Sequence, residues 1–563
     1  MDGAKLQKLP RLLVIIAVRM KRSTIGNAAA EVLSARPWGG LAGAATIVAL
    51  GFLGSRLLGV LRTVVIADAF GTSPELGAYW VAFRLPDLIF LVLAGATLGS
   101  AFIPTFARYI AQRDEEEAWR LASSVLNLVA IITAALVVVA VVLAPWIVDA
   151  MAPGLGKDVG RQDELHSLAT DLTRIMLVSP FLFALSAMMT GILNARHHFF
   201  LTALAPMFYN LSIILAALFL AEPWGVRGLA VGVVAGSALH LAIQVPGVFR
   251  VGMRYRFEAR WRDPGVREVA RLMLPRMAGL AAAQANFIVA TYFASQLGDE
   301  TISALSYAWL LAMMPMALFG VAIATAVFPT MAQQAAVDSL DRLQSTLYAS
   351  LRYILFLTIP ASVGLILLRE PLVTLLLQRG EFTASATDIT ASALLFYSIG
   401  LFAHSALEIL SRGFYALRDT RTPVALALLS MALNLLFSLA LKGPLEQDGL
   451  ALAMSLATAI EATLLFFVLR RRLGGAGAEA GPLADFLLRT GVATGLMAAV
   501  VVAFLAGENA FDPLGGHTVW EALLKVVGGT VLGAAAFFLA AFALRSPEAL
   551  TFWRRLRLAA IGS

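Results

Sequence analysis

The sequence predicts an all-α polytopic membrane protein of about fourteen transmembrane helices. They form two six-helix lobes related by a pseudo-two-fold axis along the membrane normal, with two further helices at the C-terminus. Three observations lead there. Hydrophobic residues make up 59% of the 563 residues and charged residues only 14%, outside the range of soluble domains. Apolar runs of about 20 residues, enough to span hydrocarbon at 1.5 Å per residue, recur along nearly the whole chain. The third observation is that two parts of the chain align with each other.

The apolar runs lie at about 43–68, 76–107, 121–151, 167–194, 200–221, 226–250, 268–296, 302–332, 346–378, 387–416, 422–442, 448–469, 484–506 and 520–545. Gly and Pro occur inside them and strict alternation does not, which fits helices rather than the strands of a membrane barrel. The self-alignment pairs GATLGSAFIPTFA (95–107) with GVAIATAVFPTMA (320–332), placing Pro104 opposite Pro329. Further along, Asn210 pairs with Asn434 and Gly228 with Gly449 at nearly the same offset. The repeat unit is six spans, and because six is even, both copies enter the membrane from the same side.

The expected organisation is therefore a basic cytoplasmic extension (1–42), an N-lobe (43–250), a C-lobe (251–470), and helices 13 and 14 with a basic tail (471–563). The extension contains LLVIIAV, too short to span, and no convincing cleavage site. Two bundles with a cleft between them predict a carrier that works by alternating access.

The net charge of +7 does not point to nucleic acid, because the basic residues sit at helix ends. RYIAQRDEEEAWR, NARHHF, VGMRYRFEARWRDPGVREVARLMLPR, YALRDTRT and RRRLGG share one side. The opposite loops, such as LAEPWG, QLGDET and AGENAFDPLGGH, are nearly free of Lys and Arg. This asymmetry predicts that both termini are cytoplasmic. There are no cysteines, so disulfides and thiolate sites are excluded. No phosphate-binding loop, zinc motif or convergent Asp, Glu and His cluster is apparent, so neither an enzyme, a metal site nor a bound cofactor is expected.

Charged residues inside the runs mark candidate sites, since an arginine at mid-membrane costs from about 3 to over 10 kcal/mol. GFLGSRLLGVLRTVV carries Arg56 and Arg62, about 240° apart around a helix; one is expected to face the cleft and the other to lie nearer its rim. Arg84 is followed by Pro86, expected to bend its helix, and by Asp87, expected to neutralise it. Arg276 opens the seventh span, and Gln284 and Asn286 continue a polar track inward. His404 and Glu408 are spaced i, i+4 on one face, which fits either cation coupling to Na+ or H+ or a local hydrogen-bonded pair. Glu461 is a lone embedded acid. Asn210 and Asn434 are expected to hydrogen-bond between helices.

Several stretches resemble one family. GSRLLGVLRTVVIADAFG, AYWVAFRLPDLIF, LNARHHFFLTALAPMFYNLSIIL and, above all, FYALRDTRTPV are similar to segments of the MurJ (MviN) lipid II flippases, over about residues 44–470. That family belongs to the multidrug/oligosaccharidyl-lipid/polysaccharide exporter superfamily. The resemblance implies translocation of an undecaprenyl-pyrophosphate-linked saccharide, the peptidoglycan precursor, across the bacterial inner membrane, driven by membrane potential or a cation gradient. It assigns Arg56 and Arg62 to pyrophosphate binding in a central cavity. It also shows departures, because the family's charged cavity positions are Thr63, Phe90, Leu310 and Met313 here. Two alternatives stay open: a related transporter for another polyprenyl-linked glycan or an amphipathic drug, and a non-transporting scaffold of the cell-wall synthesis machinery.

Overall fold

The computed structural model describes residues 41–93, 96–474, 480–510 and 519–551. Residues 1–40 of the expected N-terminal extension and the tail beyond residue 551 lie outside them. Helices dominate, and no strand occurs among the described residues.

The first span is α1 (Leu41–Phe70). The second is α2 (Pro74–Leu93) with α3 (Ala96–Ala111), the third α4 (Glu115–Met151), and the fourth α5 (Gln162–Met176) with α6 (Val178–Ala195). The fifth is α7 (Phe199–Phe219). After the single turn α8 (Ala221–Trp224), the sixth is α9 (Val226–Ala242) with α10 (Val245–Arg250). A linker over 251–263 leads to the second unit. That unit consists of α11 (Pro264–Ala294), α12 (Asp299–Ala312) running through a π turn (Met316–Val321) into α13 (Ala322–Ala336), α14 (Leu340–Leu376), α15 (Ala384–Ala416), α16 (Arg421–Leu441) and α17 (Glu446–Arg472). The last two spans are α18 (Ala480–Ala510) and α19 (Val519–Ala543).

Each of the fourteen expected spans corresponds to one of these units. Thirteen stretches among the described residues are long and apolar enough to cross a membrane. The seventh span, α11, opens with Arg267, Glu268, Arg271 and Arg276 and carries no charged residue from Met277 to Ala294. Its 31 residues reach about 46 Å. Pro86 lies inside α2, which continues through it to Leu93.

The two six-span units are built alike. α1 packs on α7 as α11 packs on α16, α7 on α9 as α16 on α17, and α2 on α5 as α12 on α15. The repeat-paired glycines explain part of this. A Cβ on Gly228 would collide with the carbonyl of Leu220, and one on Gly449 with the carbonyl of Leu441, so only glycine allows each hairpin to close. The paired asparagines also act between helices. Asn210 Nδ2 donates to the Ser55 carbonyl on α1 at 3.3 Å, and Asn434 Nδ2 donates to Asn286 Oδ1 on α11 at 3.1 Å.

The FYALRDTRTPV motif forms the turn into α16. The Asp419 carboxylate accepts from the amides of Arg421 (2.9 Å) and Thr422 (3.1 Å) and from the Thr422 hydroxyl (2.6 Å), and it pairs with Arg472 at the end of α17. Partial burial works to raise this carboxyl, but the bonds from Thr422 and the charge of Arg472 outweigh it and hold it below the usual range.

Core packing shows how the two units meet. At the end carrying loops 71–74, 152–161, 295–298 and 377–383, one apolar cluster spans both units. It joins Ile66, Leu76 and Tyr79 to Phe293, Tyr307 and Phe382. At the other end, where the basic loops lie, the core divides. Phe102, Phe106 and Trp119 gather with the start of α11, whereas Leu347, Leu410 and Phe414 form a separate core in the second unit. The units therefore share one core at one end, whereas at the basic end their cores are separate and the second unit reaches the first through the start of α11. α18 and α19 pack on α14 outside this pair, around Phe356, Phe486 and Phe537.

The joined end is a seam of backbone contacts. The Glu381 amide donates to the Asp68 carbonyl at 3.0 Å, and the Tyr307 hydroxyl donates to the Gly71 carbonyl at 3.1 Å. The Gly156 amide donates to Asp299 Oδ1 at 2.6 Å, and the Gly154 amide to Ser295 Oγ at 3.3 Å. Gly71 has φ +55°, and a Cβ there would strike the Glu381 carbonyl; one on Gly154 would strike that of Ser295. With no native cysteine, paired spin labels at Asp163→Cys and Glu381→Cys report the seam alone. Adding Gly154→Val is expected to lengthen and broaden their distance distribution in detergent or nanodiscs, and an unchanged distribution would show that the seam does not depend on this approach.

Candidate substrate cleft

The candidate residues are distributed by helix periodicity. On α1, the face bearing Gly51, Gly54 and Ser55 meets Ala203, Met207 and Asn210 of α7. Arg62 falls within about 20° of Ser55 around the helix, so it points into the first unit, close enough to act electrostatically on Tyr79, Asp87 and Tyr209. Arg56 lies about 240° from Arg62 and seven residues before Thr63. Thr63 is buried, and near it Ile66 and Ala67 enter the core shared by the lobes. On the same face, beyond the end of the shared core, Arg56 is exposed, its guanidinium over the Phe52 ring at 4.9 Å. The two arginines thus serve different walls.

Arg84 is bound differently from the expected Asp87 pair. Its Nε donates to Thr291 Oγ1 of α11 at 3.1 Å, and its guanidinium lies 5.4 Å from the Phe287 ring centre. Asp87 accepts from Gln284 Nε2 at 3.2 Å and feels the charges of Arg84 and Arg62 without bonding to either. One acid therefore stands between two arginines, and all three reach α11 or its neighbours. This polar bridge between the first unit and the seventh span lies within the membrane. Of the other candidate on α11, Arg276, the side chain is outside the described residues.

An aromatic chain continues the bridge. Phe287 meets Trp309 at 5.2 Å, and Trp309 meets Tyr397 at 5.3 Å and His404 at 5.2 Å. His404 does not bond to Glu408, so the expected local pair is absent. Glu408 pairs instead with Arg412, one turn further on, whose other nitrogen donates to Thr325 Oγ1 at 3.2 Å. The buried His404 Nε2 has no hydrogen-bond partner among the described residues. Of the two coupling candidates, the Glu408 carboxylate is held by Arg412, whereas His404 Nε2 has no partner among the described residues.

The four departures are filled without charge. The Thr63 hydroxyl donates to the Gly59 carbonyl of its own helix at 3.1 Å, and the Phe90 ring packs at a tilt against Phe183, centres 4.7 Å apart. Met313 belongs to the shared core and Leu310 packs against it. Among the described residues, the charged groups on α1 and α2 in this region are Arg56, Arg62 and Arg84 with Asp87, of which Arg62 lies inside the first unit.

Sequence reasoning missed Thr291, Phe287 and Trp309. The signal was present for one of them: Thr291 lies seven residues after Gln284, on the same helix face.

The fold and this cleft define a class: a two-lobed polytopic membrane protein whose charged central cleft is sealed at one end. The family model described as lipid II flippase MurJ matches residues 66–512. A probable lipid II flippase MurJ of Rhizobium meliloti is 32% identical over 497 residues, covering 87% of this chain and 91% of that protein. The lipid II flippase MurJ of Burkholderia cenocepacia is 33% identical over 425 residues, covering 74% and 81%. This chain belongs to the lipid II flippase MurJ family. Among solved structures, a lipid II flippase MurJ in an inward closed conformation superposes with a TM-score of 0.74 at 25% identity, covering 91% of this chain and 99% of that one. An inward-facing multidrug resistance MATE transporter shares the fold, with a TM-score of 0.62 at 18% identity over 74% of this chain and 94% of that one.

Replacing Thr291 by Val keeps its shape and leaves Arg84 Nε without its acceptor. The expected cost is about 1–3 kcal/mol, read as a lower melting temperature in detergent, and Arg84→Leu in the same background should recover part of it. Additive losses in the two single variants and the double would show that the bridge contributes nothing.

Proposed function

We propose that this protein flips lipid II, the undecaprenyl-pyrophosphate-linked precursor of peptidoglycan, from the cytoplasmic to the outer leaflet of the bacterial inner membrane by alternating access. The observation that carries this reading is the cleft. One end is sealed by the core that the units share, at the basic end the units keep separate cores apart from the start of α11, and Arg56 is exposed on its face of α1, with Arg62, Arg84 and Asp87 within the adjoining helices. A pyrophosphate entering between the lobes meets fixed cations that have too few acids to satisfy them. The excess of Arg and Lys on the open side orients both termini and the opening toward the cytoplasm, where the cargo is made. No chemical step is needed; the protein supplies binding and a change of access.

The loss of charge at Thr63, Phe90, Leu310 and Met313 favours one second reading, a carrier of the same architecture for a different polyprenyl-linked glycan. A scaffolding role with the cell-wall synthesis machinery has only this depletion in its favour. Complementation separates the three. On depletion of a host's own flippase, the wild-type gene is expected to restore growth, and Arg56→Ala to reduce lipid II translocation at least about tenfold, the loss of one charge-assisted contact. Failure of a well-inserted wild type to rescue would reject lipid II as cargo.

Energy for the cycle would come from the membrane potential or from a Na+ or H+ gradient. His404, buried on α15 beside Trp309 with an unpartnered ring nitrogen, is the proton-coupling candidate. In proteoliposomes, His404→Phe is then expected to abolish stimulation by an imposed pH gradient while stimulation by potential persists. Full pH-gradient stimulation in that variant would exclude the residue.

A further inference from the structure

We infer that the linker joining the two lobes is a lipid-binding strap, lying in the headgroup layer of the leaflet at the basic end and holding anionic phospholipid through its arginines. Residues 253–260 form no helix or strand, so their backbone groups need partners elsewhere. They find them on α4. Asn127 Nδ2 donates to the carbonyls of Arg256 (3.0 Å) and Glu258 (2.8 Å). The Tyr255 hydroxyl donates to Asn127 Oδ1 (2.8 Å), and the Arg256 amide donates to Ser123 Oγ (3.1 Å).

These bonds set the depth of the strap. α4 begins with Glu115, Glu116, Glu117 and Arg120, and then runs from Leu128 to Val148 without a charged residue. That run is about 31 Å long, matching the roughly 30 Å of bilayer hydrocarbon. Asn127 stands at its edge, so the strap is pinned at the boundary between hydrocarbon and headgroups.

The outward side of the strap suits that layer. Phe257 is 91% exposed and Trp261 60%, the aromatic placement of a membrane interface rather than of a water-facing loop. Between and beside them, Arg254, Arg260 and Arg262 are exposed. Arg254 and Arg262 form no ion pair among the described residues, and Arg262 lies over the Trp261 ring at 4.4 Å. The nearby acids are engaged: Glu258 with Arg260 at 2.7 Å, Asp263 with the amides of Gly265 and Val266, and Glu268 with Arg108 at 2.5 Å. The strap therefore offers net positive charge at phosphate level, which selects anionic over zwitterionic phospholipid. An acidic protein partner would match the charge but would not account for Phe257 at hydrocarbon depth. Because the strap ends at the cap of α11, lipid bound there holds the connection between the lobes against the leaflet.

The test uses the full chain, which has no native cysteine. A nitroxide at Phe257→Cys is measured in nanodiscs of phosphatidylcholine alone and of phosphatidylcholine with phosphatidylglycerol, comparing collision with oxygen and with a soluble nickel chelate. The expected result is an interfacial depth, with lower label mobility when phosphatidylglycerol is present, and loss of that difference when Arg254→Gln, Arg260→Gln and Arg262→Gln are combined. Native mass spectrometry should show several-fold less retained phosphatidylglycerol in the triple variant. A label freely accessible to nickel in both lipids overturns the proposal, as does phosphatidylglycerol retention that survives the triple substitution.

Discussion

The structure depends on the apolar core that the two lobes share at one end. At the basic end there are two separate cores, one of them including the start of α11. At the sealed end the lobes share Ile66, Tyr79, Phe293, Tyr307 and Phe382, and the backbones meet through Gly71, Gly154 and Gly156. Joining two bundles at one end creates the cleft at the other, and it explains why charged residues on α1 and α2 are tolerated in the membrane: they face a space between bundles rather than lipid. The seam consists largely of a few hydrogen bonds and close approaches rather than covalent or metal links, and such contacts are suited to being broken and remade within a transport cycle.

The seventh span has a position that the repeat alone does not convey. By sequence it starts the second lobe, and its packing on α16 repeats that of α1 on α7. By contact it also belongs to the first lobe, since it runs beside α2, α3 and α4, with Glu268 on Arg108 near its start and Gln284 and Thr291 on Asp87 and Arg84 deeper in. Any change of angle between the lobes must strain or exchange these bonds. The candidate site residues and the contacts between the lobes therefore lie on the same few side chains.

Four positions at which the family resemblance implies charge, of both signs, are uncharged in this chain: Thr63, Phe90, Leu310 and Met313. Phe90 has become part of an aromatic contact with Phe183, and Met313 has joined the shared core with Leu310 packed against it. These replacements trade charge in the cavity for apolar packing around it. The remaining electrostatics are concentrated on Arg56, Arg62 and Arg84, with Asp87 held between two of them.

The sequence by itself determined the membrane class, the fourteen spans and the six-span repeat, because hydrocarbon thickness fixes the length of an apolar run and hydrogen-bonded helices are the economical way to cross it. It also determined the family, through motifs such as FYALRDTRTPV, and the asparagine pair that ties helices together in each lobe. Only the tertiary structure decided which way each charged side chain points. Arg56 and Arg62 are six residues apart on one helix, yet α7 and α2 enclose one and leave the other in the cleft. Asp87 was legible as a partner for Arg84, yet Thr291, some two hundred residues away, is what Arg84 bonds. Glu408 was legible as a partner for His404 and bonds Arg412 instead. Spacing along one helix constrains which residues share a face, but the packing of the other helices selects among the contacts that face allows.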